Sequence, residues 1–229
     1  METVDLVNQL SAVARSLRSE EDVEHTLEKA VSLAVELIEG CDEAGVSLVR
    51  AKRRIDTPAA TSESVRRGDA LQYELNEGPC LDAIWDEETV SSPDLAQEKR
   101  WPLWGPRVVE ELDMRSMLCF QLFTDGNSLG ALNLYSHQVD GFEDADTTEG
   151  LALASHVSVA LAAAQEIETL HSAVEARTVI GQAEGILMER FDLAPHQAFA
   201  VLRRVSQESN TRLHAVAAEL VRSRRTPGT

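Results

Sequence analysis

Apolar positions near the start of the chain recur at helical spacing: Leu6, Leu10, Val13 and Leu17 follow a 4-3-4 rhythm that predicts a short amphipathic helix. Ser19, followed by Glu20, Glu21 and Asp22, reads as a cap with an acidic first turn. The helix it opens carries Val23, Leu27, Ala30, Val31, Ala34, Leu37 and Ile38, and Gly40 is expected to end it. The rhythm then changes. GVSLVR, with Val46 and Leu48, reads as a strand, TSESVRRGDALQYEL as a helix, and Gly78-Pro79 as a forced turn. CLDAIW is a short helix, ETVSSPDL a strand entering a loop, and RWPLWGPRVVEEL a segment that becomes helical. The apolar runs SMLCFQLF and SLGALNLYS flank TDGN, whose Asp125-Gly126 is a strong hairpin signal.

From Glu143 to Arg190 only Gly181 and Gly185 interrupt a helical pattern, each at a cost of roughly 1 kcal/mol relative to alanine. Pro195 suits the first position of a following helix, and Asn210 reads as the N-cap of a last one ending near Ser223. The pattern therefore predicts an α+β domain over 1–165, an all-helical domain over 166–223, and a disordered tail over 224–229. At 100° per residue, Ala176, Ile180, Ala183, Leu187 and Phe191 form a stripe facing the later helices, and the two glycines point the other way. A heptad seam runs through Leu153, His156, Ala160, Ala163, Ile167, Leu170 and Val174, and continues to Arg177, Gly181, Glu184 and Met188. Leu151, Ala154, Ser158 and Leu161 lie off the seam and are expected on the sheet. The seam predicts a homodimer in which bare glycines admit a second backbone, with Arg177 and Glu184 pairing between chains; RNA at the bare patch is the rival reading.

Charge sharpens this division. The net charge is -18, yet from residue 171 onward eight arginines face six acids, so any anion-binding function belongs in the tail. No apolar run approaches the ~18 residues of a membrane span, and METVDLVNQL is no signal peptide, so a cytoplasmic protein without membrane partners is expected. Three cysteines without a CxxC and six histidines without ligand spacing predict reduced thiols and no metal or other cofactor. No nucleophile–base pairing or phosphate loop points to catalysis.

The segment RTVIGQAEGILMERFDLAPHQAFAVLRRVSQESNTRLHAVAAEL resembles an ANTAR domain, the three-helix RNA-binding module of transcription antiterminators. Ile180, Gln182-Ala183, Gly185-Ile186-Leu187-Met188, Ala198-Phe199, Leu202-Arg203, Ser206, Asn210, Leu213 and Val216-Ala217 carry the likeness. NEGPCLDAI, RWPLW, LGALNLYS and FEDAD resemble the GAF domain that precedes ANTAR in actinobacterial regulators. The resemblance implies an antiparallel GAF sheet flanked by helices, a connecting coiled-coil helix, and a dimer that binds paired hairpins in leader RNA and keeps a terminator from forming. Arg177, Gln182, Arg203, Arg204, Ser206, Asn210 and Arg212 are the RNA-contact candidates, since arginine gives bidentate phosphate contacts and stacks on splayed bases. Glu184 stands where the family commonly has lysine, and a carboxylate there repels phosphate.

Cys80, Trp101, Trp104 and Cys119 are candidates for a sensor pocket taking an unidentified small molecule. A thiol opening a helix also allows Cys80 a redox role, against the alternative of a small buried turn residue. Two other readings remain open. Some GAF proteins reduce free methionine sulfoxide with pocket cysteines, but the cysteine positions here do not match that pattern. The last two helices, with Thr211, Arg212 and His214, also permit a DNA-reading helix-turn-helix.

Overall fold

The computed structural model describes residues 3–20, 22–86, 88–124 and 127–223. The hairpin tip Asp125-Gly126 and the tail 224–229, with Arg224 and Arg225, lie outside the described residues. The chain divides into two compact units, Met1–Gln165 and Glu166–Thr229.

The first unit opens with α1 (Thr3–Arg18) and α2 (Val23–Leu37). Five strands follow: β1 (Glu43–Arg50), β2 (Arg54–Ala60), β3 (Thr89–Ser92), β4 (Ser116–Thr124) and β5 (Asn127–Ser136). They form one antiparallel sheet in the order β2-β1-β5-β4-β3. Helices α3 (Glu63–Leu75), α4 (Pro79–Trp85) and α5 (Trp104–Leu112) lie between the strands in sequence. The period-two alternation of β4 and β5 divides two buried clusters between the sheet's faces. Leu118, Phe120, Leu122, Leu132 and Leu134 pack with Leu27, Ala30 and Ala34 of α2. Met117, Cys119, Ala131 and Tyr135 pack with Val65, Leu71, Ile84, Trp104 and Val108 from α3, α4 and α5.

Helix α6 runs without a break from Asp144 to Phe191. By length and composition it is apolar enough to cross a membrane. In the first unit, however, its Leu153, Ala154, Val157 and Leu161 are buried in the cluster shared with α2. In the second unit, Ala183 and Leu187 meet Ala198 and Leu202 of α7 (Pro195–Glu208) and Val216, Ala217 and Leu220 of α8 (Leu213–Ser223).

Several local expectations change. Asp22, not Ser19, caps α2 by accepting from the His25 N–H at 2.9 Å, while the Ser19 hydroxyl donates to the Ser16 carbonyl. Helix α2 ends at Leu37, and buried Ile38 is already extended, so the chain leaves the helix before Gly40. Asn210 is not an N-cap: at φ 50° it is left-handed, and it terminates α7 with its N–H on the Gln207 carbonyl. Of the α6 residues expected on the sheet, Ala154, Ser158 and Leu161 are buried but Leu151 is 45% exposed; Leu153, at 1%, is buried with them and cannot belong to an open seam. Phe191, expected in the bundle stripe, is exposed.

Candidate nucleic-acid interface and sensor core

The second unit presents most of its candidate RNA contacts to solvent. Arg177, Gln182, Arg203, Arg204 and Arg212 are exposed, and these four arginines make no ion pair among the described residues. Arg222 is paired with Glu219. On α7, Ala198 and Leu202 face the bundle, which leaves Phe199 and Arg203 together on an outward side, one turn apart. Ser206 and Asn210 have structural work instead. The Ser206 hydroxyl donates to the Thr211 carbonyl at 2.6 Å, and the Thr211 N–H returns to the Ser206 carbonyl at 3.1 Å, closing the α7–α8 turn that Asn210 begins. A Cβ added to Gly181 or Gly185 meets no atom within 4 Å, so the glycines do not serve packing within the unit. Gly185 and Gln182 line a shallow groove of about 620 Å³ with Ile186, Glu189, Arg190 and Val221.

The expected seam is only partly open. Ile167, Leu170 and Val174 are 47%, 57% and 64% exposed, and Ala163 and Gly181 are exposed with them. Leu153 belongs to the core, half-buried Ala160 packs against that same core, and half-buried Met188 packs in the bundle. In the first unit, Val159, outside the heptad, is 67% exposed.

All four sensor candidates fall in one buried cluster. Cys80, Trp101, Trp104 and Cys119 pack under the β4–β5 face, with the two indoles edge to face at 6.1 Å. Trp101 Nε1 donates to Asp82 and Trp104 Nε1 to the Gly68 carbonyl. Gly78, at φ 139°, turns the chain into α4, and the Cys80 N–H donates to Gln72 Oε1 at 2.8 Å. A side chain at Gly78 would collide with Gln72. Burial pushes the Cys80 thiol up to about 12, Cys41 likewise to about 12, and Cys119 well above its usual value. A thiol held neutral is a poor nucleophile, so neither a redox role for Cys80 nor thiol catalysis is supported.

Beside Cys80 lies a polar cluster that the sequence pattern does not announce. Fully buried Asp69 accepts at Oδ1 from the Tyr135 hydroxyl (2.5 Å), Asn133 Nδ2 (3.0 Å) and Gln72 Nε2 (3.3 Å). At Oδ2 it accepts from the Thr57 hydroxyl (2.9 Å) and, more distantly, Ser47 (3.5 Å). The Tyr73 hydroxyl bridges Ser47 and Thr57 at 2.6 and 2.8 Å. Burial raises the Asp69 carboxyl to about 6, against hydrogen bonds from Tyr135, Thr57, Asn133 and Ser47 that pull it down.

Residues 20–162 match the GAF domain family and residues 168–221 match the ANTAR domain. The chain belongs to the GAF domain family. With its ANTAR domain it has the architecture of a GAF–ANTAR regulator, an RNA-binding antitermination module joined to a sensor domain. No curated protein matches it. Among solved structures, the GAF domain of Acinetobacter phosphoenolpyruvate-protein phosphotransferase is similar at 18% identity and TM-score 0.56, covering 73% of this chain and 98% of that one. The corresponding domain from Coxiella burnetii gives 16%, 0.57, 74% and 99%. Free methionine-R-sulfoxide reductase from Neisseria meningitidis, solved with its substrate, gives 17%, 0.55, 71% and 91%. At these identities the likeness is one of fold. In this GAF domain the Asp69 cluster joins β1, β2, α3, α4 and β5, and its members are scattered from Ser47 to Tyr135. An acid in a helix otherwise spaced for burial, beside Gly68, was the only trace of it in the sequence.

Proposed function

We propose that this GAF–ANTAR regulator is a cytoplasmic, signal-responsive antiterminator that binds paired hairpins in leader RNA as a homodimer. The observation that carries the RNA reading is the set of unpaired, exposed arginines on an ANTAR bundle, with Arg203 beside outward-facing Phe199. A guanidinium and a ring on one helical face suit a phosphate and an unstacked loop base. Arg177, Arg204, Arg212 and Gln182 extend the contact surface, while Ser206 and Asn210 shape the turn that presents it.

The dimer reading rests on the apolar stripe Ile167, Leu170 and Val174, with Gly181 bare further along the same helix. Solvent-facing aliphatics at heptad spacing lose their exposed area against a second copy of the helix. Arg177 and Glu184 of facing chains would pair there, which gives Glu184 a role apart from RNA. The GAF domain supplies the input to this dimer.

The test is a titration of hairpin RNA, with duplex DNA as comparison, at stated salt. Hairpin RNA retained at concentrations where duplex DNA is free supports the reading; preference for duplex DNA would make α7–α8 a helix-turn-helix. Crosslinking in cells then identifies the transcripts, and recovery of no paired-hairpin leaders overturns the antitermination role.

A further inference from the structure

Asp69 is a buried carboxyl that meets only uncharged partners. Ser47 faces it from β1, Thr57 from β2, Gln72 and Tyr73 from α3, Cys80 from α4, and Asn133 and Tyr135 from β5. The titratable groups among these are Tyr73, Tyr135 and Cys80; Cys119 of β4 and Asp82 of α4 lie on the same side of the sheet. Burial pushes both tyrosines and both thiols upward, which keeps them neutral. Among the described residues, no lysine, arginine or histidine donates to Asp69.

The direction of the hydrogen bonds decides what can bind here. Three donors converge on Oδ1 and two on Oδ2, so an arriving ammonium or metal ion would meet hydrogens rather than lone pairs. A proton needs no added room, but it meets the same hydrogens and binds only as one of these donors turns away. One atom of the ring is also left over: Asn133 Oδ1 is buried and has no hydrogen-bond partner, while Asn133 Nδ2 donates to both Asp69 and Ser47. A half-turn of that amide exchanges its oxygen and nitrogen. The oxygen then accepts from a protonated Asp69, and the amide N–H groups turn to the side where Oδ1 had no partner. Ser47, Thr57 and Tyr73 are hydroxyls that donate or accept equally well, so they can reverse with it.

We propose that the sensor unit binds a proton at Asp69, and that the ring of Ser47, Thr57, Tyr73, Asn133 and Tyr135 reverses its hydrogen-bond directions to read it. A solvent proton adds to one carboxylate oxygen and no other bond is made or broken. Geometry and burial carry this assignment, and the raised carboxyl, at about 6, places the transition within mild acidification of a neutral cell. As an input to transcription control it rests on the RNA reading above.

The experiment uses the full chain in two arms. Difference infrared spectroscopy follows the protonated carboxyl band against pH in the wild type and Asp69→Asn, and hairpin RNA affinity is measured at about pH 5.5 and 7.5 in both. A band with its midpoint between about pH 5 and 7, lost in Asp69→Asn, is expected; a midpoint below about pH 4.5, or a band that Asp69→Asn leaves intact, overturns the proton site. Should Asp69→Asn fail to fold, Tyr135→Phe decides it: removal of a donor to the carboxylate moves the midpoint up by roughly one pH unit, and an unmoved midpoint overturns the assignment. RNA affinity that changes with pH only in the wild type supports the proton as input, and an equal change in both proteins overturns that role. Failure of both proteins to bind RNA at both pH values defeats the RNA reading instead, and the infrared titration decides the proton site by itself.

Discussion

A buried acid without a cation leaves a signature in stability as well as in spectroscopy. The Asp69 carboxyl titrates near its ordinary 3.8 when the chain is unfolded and at about 6 when folded. Below the lower value both states hold the proton and its stabilising contribution is complete. As pH rises through the interval the unfolded chain releases the proton first, and by about pH 6 the contribution is gone. The loss is of the order of 3 kcal/mol. Urea unfolding between pH 4 and 7 therefore declines more steeply in the wild type than in Asp69→Asn; parallel profiles would place the carboxyl's titration elsewhere. Cys80 gives a second check at this scale. Alkylation in the native protein should run far slower than for a free cysteine, and a rate equal to the free thiol would reopen its redox role. The sequence shows Asp69 only as one acid in ESVRRGDALQYEL, because its partner on β5 lies 66 residues away. Such a site exists only once β1, β2 and β5 have met, which no local period records.

Elements show the same division between local and remote causes. The hairpin β4–β5, helix α3 and the long α6 were legible because their apolar periods and turn residues agree. Strand β2 was not: RIDTPAA is short of large apolar residues and contains Pro58, which a sheet tolerates at its edge, where β2 lies. On α6, the buried Ala154, Ser158 and Leu161 follow from their spacing, whereas a heptad carried through Leu153 ignores the core that claims that residue. The glycines of α6 give the test at this scale. With open space at both positions, Gly181→Ala and Gly185→Ala should each raise the folding stability of the separated chain by about 1 kcal/mol, measured by denaturant unfolding at low concentration. Gly181→Leu, in contrast, should abolish dimers in sedimentation. Full association by Gly181→Leu would leave the bare patch to RNA.

For the whole molecule, electrostatics divides the labour. Thirteen basic residues face thirty-three acids before residue 171, and eight arginines face six acids after it. Polyanions are repelled by the GAF domain, so RNA affinity depends on few cations and on salt. Arg203→Ala should weaken hairpin binding at least tenfold and flatten the logarithmic salt dependence by about 0.7 to 0.9, measured by filter binding at two ionic strengths. An unchanged affinity would move the interface off the outward side of α7. The order of the two domains and their fold classes could be read from the chain itself, because patterning and charge both change near the same place. The surface left uncovered by folding could not, since exposure is decided by packing.

That uncovered surface also makes abundance a control variable. In the proposed dimer, the stripe of Ile167, Leu170 and Val174 would be covered, and it is bare in the single chain. When pairing is weak, the number of dimers grows as the square of the number of chains. A doubling of synthesis would then give close to a fourfold rise in RNA-competent pairs, so gene dosage would steepen the response of the proposed dimer before any signal arrives.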